Sequence, residues 1–216
     1  MSADWIDAIA AREAVEVIAP GALLLQGFAR AQGAELMQCV HAVTAAAPLR
    51  HMVTPGGFRM SVAMSNCGTL GWVTDQSGYR YSTLDPETSR PWPALPAAVD
   101  ALARAAAARG GYPDFVPDAC LINHYVPGAR MSLHQDRNER DRAAPIVSIS
   151  LGLPAVFLFG GLRRAERPRR VRLASGDVVV WGGPSRLAYH GIAPLADGSD
   201  PLTGRSRYNL TLRRAA

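Results

Sequence analysis

Residues 143–162 read AAPIVSISLGLPAVFLFGGL and contain no charged side chain. A run of 20 uncharged residues has the length of a membrane-spanning helix. However, Pro154 and the glycines on either side of it divide the run into IVSISLG and AVFLFGG, both rich in β-branched or aromatic residues. The pattern therefore predicts two buried strands joined by a tight turn.

The sequence from residue 112 onward continues in short runs of strand character, separated by Pro-Gly, Gly-Gly and Ser-Gly-Asp turns. About seven such strands predict an all-β sandwich or jelly roll. Before residue 112, apolar residues at helical spacing predict helices near residues 32–46 and 94–109, with an irregular stretch at 52–92 between them. The fold class is thus mainly β with flanking helices (α+β). Besides IVSISLG and AVFLFGG, the predicted strands are ACLINHYV, RMSLHQD, RRVRL, DVVVW and SRYNLTLR.

The composition is that of one folded domain in a reducing compartment. With 216 residues and 48% apolar side chains, the chain can bury a core, which excludes wholesale disorder. The three cysteines are far apart and form no CxxC pair, so neither a disulfide framework nor a thiolate zinc site is expected. Asp4 and Asp7 stand where a secretory signal would carry basic residues. We therefore expect a cytoplasmic protein that does not span a membrane.

The net charge of +5 is concentrated in one segment. All 23 basic residues are arginine, and residues 163–172, RRAERPRRVR, hold six of them with a single glutamate. The rest of the chain is neutral overall. Such a patch predicts contacts with the phosphates of a nucleic acid, the alternative being a solvated charged turn.

Three residues have the spacing of a metal site. His134 and Asp136 are two residues apart, so in an extended chain their side chains point the same way, and His190 follows the predicted strand DVVVW. Two histidines and one carboxylate form the facial triad of non-haem Fe(II) oxygenases, which leaves coordination positions open. Zinc accepts the same ligands, so the triad alone does not identify the metal. The other histidines, His41, His51 and His124, are interpreted as ordinary surface or core residues.

The last predicted strand favours an oxygenase. Its period of two places Arg207, Asn209, Thr211 and Arg213 on one face. An enzyme that uses 2-oxoglutarate must neutralise a dicarboxylate beside its iron, and arginine provides charged, bidentate donors for this. A zinc hydrolase has no such requirement. The alternative is an amphipathic strand with its polar face in water.

The sequence as a whole resembles the bacterial AlkB proteins, Fe(II)/2-oxoglutarate-dependent dioxygenases that repair N-alkylated nucleobases. The resemblance covers about residues 50–214 and rests on MVTPGGFRMSVAMSNCGTLGW, ACLINHYVPGARMSLHQD, APIVSISLGLPAVFLFGG, GDVVVWGG, YHGI and RYNLTLR. It implies a double-stranded β-helix, or jelly roll, in a single domain. The implied parts are an N-terminal segment with helical support (1–49), a nucleotide-recognition lid (50–92), a supporting helix (93–111) and the dioxygenase core (112–214).

The resemblance also implies the site residues and the reaction. The cofactor is Fe(II), with 2-oxoglutarate and O₂ as co-substrates, and the reaction demethylates bases such as 1-methyladenine and 3-methylcytosine, releasing succinate, CO₂ and formaldehyde. The expected partner is single- or double-stranded DNA, with RNA as a further substrate, and the expected state is a monomer. The implied residues are His134, Asp136 and His190 for iron; Asn123, Tyr125, Arg207, Asn209 and Arg213 for 2-oxoglutarate; and Trp72, Tyr79, Arg80, Tyr81, Asn138 and Arg164 for the substrate.

One position departs from the family pattern. Where the best-known members carry an acidic residue two positions after the metal aspartate, this chain has Asn138. The methylated bases are cationic, so the missing carboxylate puts lesion preference in question. Two alternatives remain open at this point: a hydroxylase of the same chemistry acting on RNA or another substrate, and a non-catalytic jelly-roll binding module.

Overall fold

The computed structural model describes residues 14–216. Residues 1–13, which include Asp4 and Asp7 discussed above, lie outside the described part of the chain. In the described part, thirteen strands form two antiparallel sheets and one separate hairpin, and two α-helices cover one sheet. The strands are β1 Val15–Ala19, β2 Ala22–Leu25, β3 Ala63–Gly68, β4 Gly71–Asp75, β5 Gly78–Ser82, β6 Ala119–Tyr125, β7 Met131–His134, β8 Ile146–Gly152, β9 Ala155–Phe159, β10 Arg169–Leu173, β11 Val178–Trp181, β12 His190–Ile192 and β13 Arg207–Arg213.

The two sheets have different sizes and roles. The major sheet has the order β1-β2-β11-β8-β13-β6-β3, and the minor sheet has the order β10-β9-β12-β7. Strands β4 and β5 form the hairpin outside both sheets. This arrangement confirms the prediction of a mainly β, jelly-roll fold with flanking helices.

The core has two layers, which follow from the alternation of side chains along the strands. On β11, Val179 and Trp181 belong to the cluster that lies between the sheets, together with Phe157 of the minor sheet. Val178 and Val180 point the other way and pack with the helices α1 (Gly33–Ala46) and α2 (Ala97–Arg109). The helices therefore support the back of the major sheet, and the space between the sheets is left for a site.

The uncharged run at residues 143–162 forms β8 and β9, as predicted. All seven residues of β8 are buried, because helices cover one face and the minor sheet covers the other. A strand buried on both faces needs no polar residues in alternation. Within residues 14–216, no helix has the length and apolar character needed to cross a membrane.

Both predicted helices are confirmed, but the stretch at 52–92 is not irregular as expected. It contains β3, β4 and β5, and β3 is the edge strand of the major sheet, paired with β6. Apart from Met64, the residues of β3, AMSNCG, are small or polar yet buried on both faces, so they show no apolar alternation. Similarly, the N-terminal segment contributes β1 and β2 to the sheet besides helix α1.

Candidate active site

Pairing between β7 and β12 brings two histidines together. His134 ends β7, and His190 begins β12 directly opposite it, with the ring centroids 4.4 Å apart. The strands can approach this closely because residue 191 is glycine: a Cβ there would lie 2.5 Å from the carbonyl oxygen of Met131. The glycine of the HGI sequence thus fixes the spacing of the two imidazoles.

Asp136 completes a compact triad with these histidines. Its Oδ1 lies 3.7 Å from Nε2 of His134, and its Oδ2 lies 3.8 Å from Nε2 of His190. The three residues offer ligand atoms that all lie within 4.8 Å of one another. Nδ1 of His134 is 2.8 Å from the carbonyl oxygen of Ser132, and Nδ1 of His190 is 3.0 Å from that of Ala188. Each Nδ1–H can donate to its carbonyl, which leaves both Nε2 atoms available to a metal.

The electrostatic surroundings favour the ligating forms of two of these groups. Burial and the neighbouring His134 lower the pKa of His190 to about 4, so its imidazole is neutral near pH 7. Burial alone would raise the pKa of Asp136, but the Arg213 guanidinium and the two histidines hold it well below its usual value. A neutral imidazole and an ionised carboxylate are the forms that bind a divalent metal.

A second layer of charges lies behind Asp136, and it was not found from the sequence. Arg213 contacts Oδ2 of Asp136 through Nε at 2.7 Å and Nη2 at 2.6 Å. Its Nε also lies 3.5 Å from Oε1 of Glu139, whose other oxygen accepts a hydrogen bond from Arg186 at 3.1 Å. Arg186 also donates to the backbone oxygens of Asp136 and Ala144. The carboxylate of Asp136 is therefore fixed in orientation before any metal binds.

The polar face of β13 lines the space between the sheets, as predicted. Tyr208, Leu210 and Leu212 pack on the opposite side, against the helices. The cavity is closed by apolar side chains from the minor sheet and β11, among them Phe157 and Trp181. The triad histidines, the expected 2-oxoglutarate residues and Thr211 share this cavity: His134, His190, Asn123, Tyr125, Arg207, Asn209, Arg213 and Thr211.

Arg207 has the properties of a carboxylate receptor. Its side chain is 1% exposed, and Nη2 donates to the hydroxyl of Ser150 at 3.0 Å. Nε and Nη1 have no hydrogen-bond partner, although both are buried. Leaving donors of a buried charged group unmet is costly, so their presence in the cavity indicates a place for an anion. The donor set therefore fits the distal carboxylate of 2-oxoglutarate.

Neighbouring side chains complete this part of the cavity. Burial raises the pKa of Tyr125 to about 12, so its hydroxyl remains protonated and able to donate. The Asn123 amide donates to Asn209 Oδ1 at 3.2 Å, while its own buried carbonyl oxygen has no partner. Asn209 also bonds Ser148 and Thr211 at 2.8 and 2.9 Å. Because its amide is used within the protein, Asn209 organises the cavity wall rather than offering free donors.

The hairpin β4–β5 carries the aromatic residues expected to contact the substrate. Trp72 and Tyr79 are stacked, with centroids 5.7 Å apart and planes at 25°. The backbone of Trp72 is held by the buried Asn66, which accepts from its N–H at 2.9 Å and donates to its carbonyl oxygen at 3.0 Å. Trp72 is half-buried and packs on the core between the sheets. The pair thus presents a fixed aromatic surface.

Two other residues of the hairpin have partners inside the protein. The hydroxyl of Tyr81 donates to Glu139 Oε1 at 2.6 Å, which links the hairpin to the charges behind Asp136. Arg80 binds both carboxylate oxygens of Asp75 in the same hairpin, at 2.9 and 2.6 Å. Arg80 and Tyr81 therefore stiffen and position the hairpin.

The structure leaves several expected substrate residues accessible. Asn138 is exposed and lines a surface cavity with Tyr79 and Tyr81. The Arg164 guanidinium lies over the ring of Tyr189, 5.9 Å from its centroid, next to the metal-site histidine at 190. His124 points away from the cavity and stacks on Tyr208, which agrees with its interpretation as a structural residue.

The arginine segment 163–172 is only partly neutralised. Arg163 pairs with Glu166 at 3.2 Å, and Arg169 binds Glu16 and the backbone of β1. Four exposed arginines of the segment have no ion-pair partner among residues 14–216: Arg164, which lies over Tyr189, and Arg167, Arg170 and Arg172. Arg170 and Arg172 lie on the same face of β10, because Val171 between them is buried. These side chains are available to an anionic partner.

Comparison with known proteins agrees with this site. The model of the 2OG-Fe(II) oxygenase superfamily matches residues 21–213. The sequence is 57% identical over 200 residues to the alpha-ketoglutarate-dependent dioxygenase AlkB of Escherichia coli, with 93% of each chain covered. It is 33% identical over 145 residues to the tRNA demethylase abh1 of Schizosaccharomyces pombe, covering 65% of this chain and 48% of that one. The solved structure of OsALKBH1 superposes with a TM-score of 0.82 at 25% identity, covering 93% of this chain and 100% of the other.

Proposed function

Since this chain belongs to the AlkB family, within the 2OG-Fe(II) oxygenase superfamily, we propose that it oxidatively removes alkyl groups from N-alkylated bases such as 1-methyladenine and 3-methylcytosine. The chain is an Fe(II)- and 2-oxoglutarate-dependent dioxygenase. The observation that carries the proposal is one cavity that joins the triad histidines His134 and His190 to the buried Nε and Nη1 of Arg207, which have no protein partner. The role of the protein in the cell would be direct-reversal repair of alkylated nucleobases.

The protein residues hold and orient the reactants. His134, Asp136 and His190 would bind Fe(II), while Arg207 would pair with the distal carboxylate of 2-oxoglutarate and Tyr125 would donate to it. When bound, Fe(II) with 2-oxoglutarate and O₂ supplies oxidation of the N-methyl carbon, yielding formaldehyde and the restored base alongside succinate and CO₂. Arg213 keeps the carboxylate of Asp136 turned toward the histidines, and the walls of Phe157 and Trp181 limit the entry of water.

The hairpin β4–β5 would receive the base. A base inside a duplex cannot reach a site between two sheets, so it must be flipped or already single-stranded. Stacking on the Trp72–Tyr79 surface would return about 1–3 kcal/mol of the cost of unstacking. We propose Asn138 as an acceptor for the exocyclic amine and Arg164 as a contact beside the base. The alternative of a core-capping role for Trp72 predicts no effect of its removal on substrate affinity.

We propose DNA as the main substrate. We propose RNA as a second one because a relative of this chain is a tRNA demethylase. We also propose that the protein acts as a monomer in the cytoplasm. The test measures formaldehyde released from 1-methyladenine in matched DNA and RNA oligonucleotides, with Fe(II), 2-oxoglutarate and O₂ present. Release that requires all three supports the proposal. Uncoupled 2-oxoglutarate decarboxylation with no formaldehyde from either polymer would overturn it.

Substitution of Asn138 tests how the chain treats cationic bases. Asn138→Asp adds a negative charge at an exposed position two residues after Asp136. We therefore expect a change in the ratio of the rates on 1-methyladenine and 3-methylcytosine. The measurement is kcat/KM for both lesions in the same oligonucleotide sequence. The Asn138→Ala variant serves as the uncharged control. An unchanged ratio in both variants would show that residue 138 plays no part in lesion preference.

The arginine segment should contribute to the salt dependence of binding. The test is the triple variant Arg167→Gln, Arg170→Gln, Arg172→Gln. The slope of the logarithm of its binding constant for single-stranded DNA against the logarithm of salt concentration should be smaller in magnitude by as much as about 2, since each phosphate contact contributes about 0.7. Decarboxylation of 2-oxoglutarate without DNA should not change. Arg104→Gln, on the solvent side of α2, is the matched control. Equal slopes in the wild type and the triple variant would show that the segment is a solvated turn that makes no phosphate contacts.

A further inference from the structure

A second cavity, of about 430 Å³, lies beside strand β5. Neither the metal triad nor Arg207 lines it, so it is distinct from the space between the sheets. Its polar lining comes from the hairpin and the residue after it on one side, and from the segment that follows Asp136 on the other. These lining residues are Tyr79, Arg80, Tyr81, Thr83, Asn138 and Arg140.

The cavity has a fixed floor rather than a gap between loose loops. The floor includes residues 215 and 216, whose N–H groups both donate to the carboxylate of Asp118, at 2.6 and 3.0 Å. The N–H of Arg140 donates to the carbonyl oxygen of Ala215 at 3.0 Å. Two hydrogen bonds therefore hold the floor on Asp118, and one joins it to the wall that carries Arg140.

The charges that line the cavity leave one guanidinium available. Arg80 is neutralised by its two hydrogen bonds to Asp75. The exposed side chain of Arg140 has no ion pair or hydrogen bond with any residue in the range 14–216. Tyr81 is bound to the buried Glu139. Thus Arg140 supplies an unshared positive charge to the cavity, and such a charge suits a phosphate.

The position of the cavity links it to the expected substrate strand. Tyr79 belongs both to this cavity and to the aromatic pair with Trp72, and Asn138 lies two residues after Asp136. The cavity therefore begins where the proposed function places the flipped base. Its volume falls within the range of about 300–1,000 Å³ that is usual for small-molecule sites, which is sufficient for one nucleotide.

We propose that this cavity binds the nucleotide next to the flipped one on the same strand, with Arg140 on its phosphate and Tyr79 against its sugar or base. The inference rests on the proposed function, because it takes the flipped base as its point of reference. Arg140 and Thr83 then recognise the neighbouring nucleotide of the strand rather than the damaged base itself.

The test compares a substrate that can fill the cavity with one that cannot. The probes are the trinucleotide d(T-1meA-T) and the nucleoside 1-methyldeoxyadenosine, which has no phosphate. For Arg140→Gln we expect kcat/KM on the trinucleotide to fall about five- to tenfold, as for loss of one charge-assisted hydrogen bond at an exposed site. On the nucleoside it should stay within about twofold of wild type. Arg140→Lys should retain most of the trinucleotide activity, and Arg104→Gln should match wild type.

Two further measurements separate this site from general charge attraction. Anisotropy of a labelled trinucleotide, measured with Fe(II) and 2-oxoglutarate but without O₂, should show a salt slope smaller by about 0.7 in Arg140→Gln. Thr83→Trp, which fills the cavity without changing charge, should weaken trinucleotide binding and leave nucleoside turnover intact. An unchanged slope, or an equal loss on both substrates, would overturn the inference. If wild type releases no formaldehyde from either probe, the proposed function fails, while the anisotropy result still decides whether the cavity binds nucleotides.

Discussion

Replacing Arg207 with methionine should raise the KM for 2-oxoglutarate by at least about 30-fold, which corresponds to about 2 kcal/mol of lost binding. The physical reason is that the buried Nε and Nη1 of Arg207 have no protein partner and would pair with the distal carboxylate. The KM for the methylated oligonucleotide should not change. Arg207→Lys should be intermediate, because lysine keeps the charge but cannot bind a carboxylate in the bidentate way.

Thermal unfolding gives a readout that does not need turnover. Adding 2-oxoglutarate should raise the Tm of the Fe(II)-loaded wild type under anaerobic conditions, since a ligand stabilises the state it binds. In Arg207→Met this shift should be absent at the same concentration. The matched control is Arg205→Met. Arg205 lies two residues earlier, and its exposed side chain pairs with Asp197. A normal shift in the Arg207 variant would show that the polar face of β13 does not bind the co-substrate.

Loss of Asp136 should remove both metal binding and turnover. Asp136→Ala is expected to weaken Fe(II) binding more than about 100-fold, since loss of outer-shell partners alone commonly costs about 10–100-fold. Equilibrium dialysis without O₂ measures this directly. Asp197→Asn, at an exposed ion pair, should bind Fe(II) as the wild type does. Iron-dependent decarboxylation retained by Asp136→Ala would contradict the triad.

The same substitution should also affect stability, because Asp136 neutralises the buried Arg213. The free energy of unfolding of the metal-free protein should fall by about 1–3 kcal/mol in Asp136→Ala. The loss is limited because Glu139 stays 3.5 Å from Arg213 and keeps the guanidinium partly compensated. Asp136→Asn should lose less stability than Asp136→Ala, since its amide oxygen can still accept from Arg213. Urea denaturation measures the difference between the two variants.

The sequence predicted those parts of the fold whose pattern is set by one buried face. Strand β13 alternates polar and apolar residues because one face lines a polar cavity and the other packs on helices. The helices were predicted for the same reason, since each buries one stripe against the major sheet. The triad was predictable because His134 and Asp136 are close in the chain and His190 follows a clear strand.

Other parts have no local signal. Strand β3 is buried on both faces but, apart from Met64, consists of small or polar residues, so its sequence lacks the apolar alternation that marks a strand. Glu139 and Arg186 lie 47 residues apart in the chain and form a buried pair that only the tertiary structure brings together. The freedom of Arg140 and the neutralisation of Arg80 depend on which carboxylates are nearby in space. Composition counts charges, but it does not show which of them are already paired.

The hydrogen bond from Tyr81 to Glu139 determines how the hairpin β4–β5 can move. It joins the base of the hairpin to a buried carboxylate, whereas the side chains of Asp75, Ser77 and Arg80 near the turn bond only within the hairpin. The strands of the hairpin are therefore anchored at Tyr81, and also at Thr74, whose hydroxyl donates to the carbonyl oxygen of Val53. We expect movement to be confined to the turn at residues 76–78, away from the metal ligands. Hydrogen exchange should accordingly be fast at the turn and slow along the anchored strands, so that contacts with a nucleic acid strand can adjust there without disturbing the geometry of the triad.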